Sequence, residues 1–113
     1  MSLRDDDSAL VRKHEQFLQQ LEFELRKINR QIIHEHVPEL NRASCLRLAK
    51  FVAEARSRYL KIALRLSSES IDTEESHQLV RQLKQERQSF EESRRAFIAL
   101  ERAIKQGYVD IAG

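Results

Sequence analysis

Two glycines and one proline serve the whole of this 113-residue chain, and that scarcity constrains the fold more than any motif in it. A many-stranded sheet, a phosphate-binding loop or a dinucleotide-binding crossover each needs several residues that accept positive φ or pre-set a turn. The composition excludes those classes in practice. Hydrophobic residues make up 41% of the chain, but the aromatics are only five Phe and two Tyr, so a core must be largely aliphatic. A single small helical domain over residues 1–113 fits both facts.

Apolar spacing says where the helices are. Val11, Leu18, Leu21, Leu25, Ile28 and Ile32, with His14 on the same series, alternate in threes and fours, which is the spacing of a coiled-coil seam. Asp5, Asp6, Asp7 and Ser8 supply N-cap candidates, so this helix is placed near 7–36. Val37 before Pro38 ends it and Pro38 opens the next. A second series, Cys45, Leu48, Val52, Ala55, Tyr59, Ile62 and Leu66, predicts a helix near 38–67. Ser67 to Ser70 interrupt it, and Asp72 with Glu75 can form a capping box for a third helix. That helix runs near 73–106 on Leu79, Leu83, Phe90, Phe97, Leu100 and Ile104, with Glu86 and Ser93 in two seam positions. Gly107 is its stop, leaving a tail over 107–113.

Short connections make antiparallel neighbours. The expected architecture is therefore all-α, an elongated up-down-up antiparallel three-helix bundle with coiled-coil-like seams, extended by a fourth helix through oligomerisation. A carboxylate placed in a seam, as in Leu25→Asp or Leu83→Asp, is expected to unfold it.

The second helix departs from a plain bundle member. On a wheel at 100° per residue its apolar arc is about 220° wide, where packing on neighbours needs a stripe somewhat over 100°. The excess is Leu46, Ala49, Ala53, Leu60 and Leu64, and contiguous apolar surface of this kind marks an interface; the alternative is that this helix is the buried centre of a flattened bundle. The rest of the circumference carries Arg47, Lys50, Arg58, Lys61 and Arg65 with Glu54. From Glu39 to Ser68 seven basic residues face two acidic ones, although the whole chain is only +2. Such a stripe can be solvated, can pair with carboxylates such as Glu91 and Glu92, or can track phosphates and anionic lipid.

Candidates for chemistry are few. His34 and His36 flank Glu35, with Glu39 nearby, and these are zinc-compatible ligand types. Residues separated by one position point about 200° apart on a helix, so no metal is expected there. Glu74 and His77 give a single Glu-x-x-His, where a diiron bundle needs two, and His77 sits at a helix start as an ordinary solvated residue. His14 on the seam reads as a buried polar position that sets register, and Cys45 as a small buried hydrophobe. The ten serines fit no nucleophile elbow.

The sequence therefore points to a non-enzymatic interaction or assembly module without cofactor or small-molecule substrate, its partner a second copy or another helical protein. The alternative is an electrostatic binder of nucleic acid or anionic membrane. No stretch reads as a secretory signal, a membrane span or a lipid anchor, and Cys45 cannot form an intramolecular disulfide, so a cytoplasmic setting is expected.

Overall fold

A computed structural model describes residues 3–37, 39–68 and 73–112. The chain is all-α, and the described residues form three helices: α1 over Leu3–His36, α2 over Arg42–Ser67 and α3 over Glu74–Lys105. Among the described residues there is no strand. The contacts divide the chain into two units. One joins α1 to Ala103–Ile111; the other consists of Leu40–Arg102 with Ala112.

The second unit is built on α2 and α3. Arg58 pairs with Glu86 and Arg65 with Glu75, so rising numbers on α2 meet falling numbers on α3, and the helices are antiparallel. Each points its expected seam inward. Val52, Ala55, Leu79 and Ser93 are buried, and Leu48, Tyr59, Ile62, Leu66, Leu83, Phe90, Phe97 and Leu100 are half-buried. Tyr59 stacks on Phe90 with ring centroids 6.1 Å apart, and the Arg56 guanidinium lies 5.2 Å from the Phe90 centroid. The polar seam positions are satisfied locally. Ser93 Oγ donates to the Phe90 carbonyl at 2.9 Å, and the carboxylate of Glu86 accepts from Arg58.

Caps explain where the helices begin and end. α2 starts at Arg42, four residues after the expected Pro38, because Asn41 and Ser44 form a reciprocal capping box: Asn41 Oδ1 accepts from the Ser44 N–H at 2.8 Å, and Ser44 Oγ accepts from the Asn41 N–H at 3.1 Å. Pro38 itself lies outside the described residues, as does Asp72 of the expected Asp72–Glu75 box. For α3 the cap is Thr73, whose Oγ1 accepts from the Ser76 N–H at 3.0 Å. α1 already runs from Leu3, so Asp5 to Ser8 occupy its opening turns rather than its cap.

In the first unit Gly107 stops α3 as expected. Its φ is +73°, its N–H donates to the Ile104 carbonyl at 3.1 Å, and the Tyr108 N–H donates to the Ala103 carbonyl at 2.8 Å. This is the two-bond Schellman closure that glycine favours. The segment after it is not a loose tail. Val109 is buried, and Arg30 of α1 donates to the Gly107 carbonyl at 3.0 Å and to the Asp110 carboxylate.

One expectation is corrected. The α1 seam, Val11, Leu18, Leu21, Leu25, Ile28 and Ile32, is 42 to 60% exposed, and His14 is exposed as well, so none of these residues is buried within the first unit. Leu25→Asp should accordingly keep the helical circular dichroism of the parent. Leu79→Asp or Leu83→Asp should abolish it, because a carboxylate between α2 and α3 costs several kcal/mol against a total stability of about 5 to 15. The reverse ranking of α1 and α3 variants would contradict this assignment of the core.

Candidate interaction surface

With Val52, Ala55 and Tyr59 turned toward α3, the residues about 100 to 160° round the α2 wheel from Leu48 are turned away from it. Leu46 is 57% exposed, Leu60 49% and Leu64 70%. Ala53 is exposed and Ala49 half-buried, so Ala49 forms the inner edge of the strip rather than its crest. The four exposed members lie along one line of α2, Ala53 between Leu46 on one side and Leu60 and Leu64 on the other.

Three further exposed large apolar residues lie off this strip, with Phe51 roughly 160° round the α2 wheel from its centre. Phe51 is on α2, and Val80 and Ile98 are on α3. Val80 lines a shallow hollow with Tyr59, Leu83, Lys84 and Arg87. Neither Val80 nor Ile98 falls on the α3 seam series, and two isolated apolar residues eighteen positions apart carry no periodic signal.

The basic stripe divides into two groups. Arg58 Nε donates to Glu86 at 3.2 Å and Arg65 donates to Glu75 at 2.7 Å, so these two arginines serve the α2–α3 contact. Arg47, Lys50 and Lys61 are exposed; Lys50 lies 4.0 Å from Glu54 on its own helix. The carboxylates expected to answer the stripe, Glu91 and Glu92, do not. Glu91 accepts from Arg94 at 3.0 Å, and that hydrogen bond above all holds its carboxyl below the usual carboxylate range, against an opposing desolvation and with lesser help from the charges of Arg94, Arg95 and Arg87.

The remaining candidates are dispersed. His34 lies 3.5 Å from the Asp110 carboxylate, an ion pair when the imidazole is protonated; His36 is exposed at the end of α1. Among the described residues no group of three or more His, Cys, Asp or Glu could hold a metal ion. Cys45 is half-buried and His77 exposed in the first turn of α3. No described helix is long and apolar enough to cross a membrane. The chain matches no known protein family, no curated protein and no solved structure.

Exposed ion pairs of this kind contribute about 0.2 to 1 kcal/mol each. A double-mutant cycle on Arg65→Ala and Glu75→Ala, read by urea unfolding, should therefore give a coupling below about 1 kcal/mol. A coupling above about 2 kcal/mol would mean that the pair, rather than the apolar seam, holds the hairpin.

Proposed function

We propose that the chain is a non-enzymatic protein–protein assembly module whose contact surface is the strip Leu46, Ala49, Ala53, Leu60 and Leu64, and that its partner is a second copy of the chain. The observation that carries this is the exposure of three leucines on the side of α2 turned away from α3. Each large aliphatic side chain removed from water contributes roughly 1.5 to 3 kcal/mol, so the strip's three leucines supply part of what association costs, about 4 to 15 kcal/mol. A cytoplasmic setting belongs to the same proposal, because a lone thiol such as Cys45 stays reduced there.

The electrostatic alternative draws less support. Of the five cations it requires, Arg58 and Arg65 already meet carboxylates of α3, which leaves Arg47, Lys50 and Lys61. Changing Leu60 and Leu64 together to Gln should leave the helical signal in place and lower the mass measured by sedimentation. Retention of both fold and mass would remove the strip from the assembly. Binding of the parent to duplex DNA or anionic vesicles that falls steeply with added salt would favour the alternative instead.

A further inference from the structure

The segment that follows α3 is held at several points although it has no helix of its own. Past Gly107, Val109 is buried, and the Ala112 N–H donates to the Leu40 carbonyl at 2.7 Å. Arg30 of α1 donates to the Gly107 carbonyl at 3.0 Å and to Asp110 Oδ1. A carboxylate has two oxygens, and Arg30 takes one of them. The other, Asp110 Oδ2, lies 3.5 Å from Nδ1 of His34, one turn further along α1. The side chains of His34 and Asp110 are 58% and 47% exposed, so the imidazole exchanges protons freely with solvent.

A neutral imidazole offers the carboxylate only a dipole, whereas an imidazolium offers it a full charge. Four charged groups share a shallow hollow with His34 and Gln31: Lys27, Arg30 and Glu35 of α1, and Asp110 of the C-terminal segment. Lys27 and Arg30 oppose a further cation there, while Glu35 and Asp110 favour it. Three of the four belong to the same helix as His34 and stay beside it whether or not the segment is seated. Asp110 is beside it only when the segment is seated, so proton uptake by His34 changes the hold on the segment through Asp110.

We infer that residues 108–112 form a strap across the C-terminal end of α1, and that its hold tightens when His34 is protonated. Because the imidazolium gains a carboxylate only while the strap is seated, proton uptake and seating favour one another. The added hold is present on the acid side of the histidine range and is lost as pH rises through it. Loosening the strap opens Val109 to solvent, so the exposure of a buried apolar side chain follows pH. This stands apart from the assembly reading, since no residue of the α2 strip takes part.

Amide hydrogen exchange at Ala112, followed by NMR on the full chain and corrected for the intrinsic effect of pH, reads the strap through the bond of that N–H to Leu40. Between about pH 5.5 and 8 histidine is the side chain that ordinarily changes charge. In the parent, protection should be about two- to fivefold greater at the acid end, as expected of an exposed ion pair. His34→Gln should remove the difference and stay at the parent's alkaline value. His34→Lys carries a permanent cation and should hold the higher protection at both ends. Since His34 is exposed, both variants should keep the parent's circular dichroism. A parent without the difference overturns the inference, as does a His34→Gln variant that keeps it. A His34→Lys variant that follows His34→Gln would show that charge is not the cause, and loss of the difference in His36→Gln would assign the titration elsewhere; either result overturns it too.

Discussion

The close approach of α2 and α3 is the constraint from which the other features follow. Ala55 is fully buried and Ser93 and Ser76 nearly so, so small side chains occupy the tightest positions while Tyr59 and Phe90 stack beside them. Small residues let the backbones approach, and larger neighbours fill the space on either side; that alternation is how a seam reaches interior density without aromatic bulk. The two serines add no unsatisfied polar atoms, because each hydroxyl donates to a carbonyl three residues earlier in its own chain segment. Once Val52, Ala55 and Tyr59 face α3, helical geometry alone turns Leu46, Leu60 and Leu64 outward and brings Arg58 and Arg65 alongside Glu86 and Glu75.

How much of this is legible in the sequence depends on the range of the interaction. The α2 and α3 seams can be read residue by residue, since heptad spacing is a local property and those helices bury the stripe it defines. Gly107 is equally readable, because a positive φ at a helix stop favours one residue type. The start of α2 differs from its expected place since a proline is a permissive signal, while Asn41 with Ser44 supplies two hydrogen bonds. The exposure of the α1 seam cannot be read: periodicity identifies an apolar face without saying what covers it. The Arg30 clamp on Gly107 and Asp110 is invisible for a similar reason, because nothing in the pattern couples residues eighty positions apart.

The candidate site divides in the same way. Leu46, Ala53, Leu60 and Leu64 follow from an arc wider than a helix packing on two neighbours needs, and each is exposed; Ala49 stands at the inner edge of that strip and is half-buried. The basic stripe looks uniform in the sequence because every cation counts alike in a composition. Its division into two arginines engaged with α3 and three exposed cations requires the register of α2 against α3, which individual charges do not encode.

If the apolar strip left exposed on α2 is an assembly surface, as we propose, mass in solution is the most direct test. Sedimentation equilibrium of the unmodified chain over a wide concentration range should show the average mass rising from the monomer's 13.3 kDa to twice that value and levelling there. A mass that stays at the monomer value throughout would contradict the proposal.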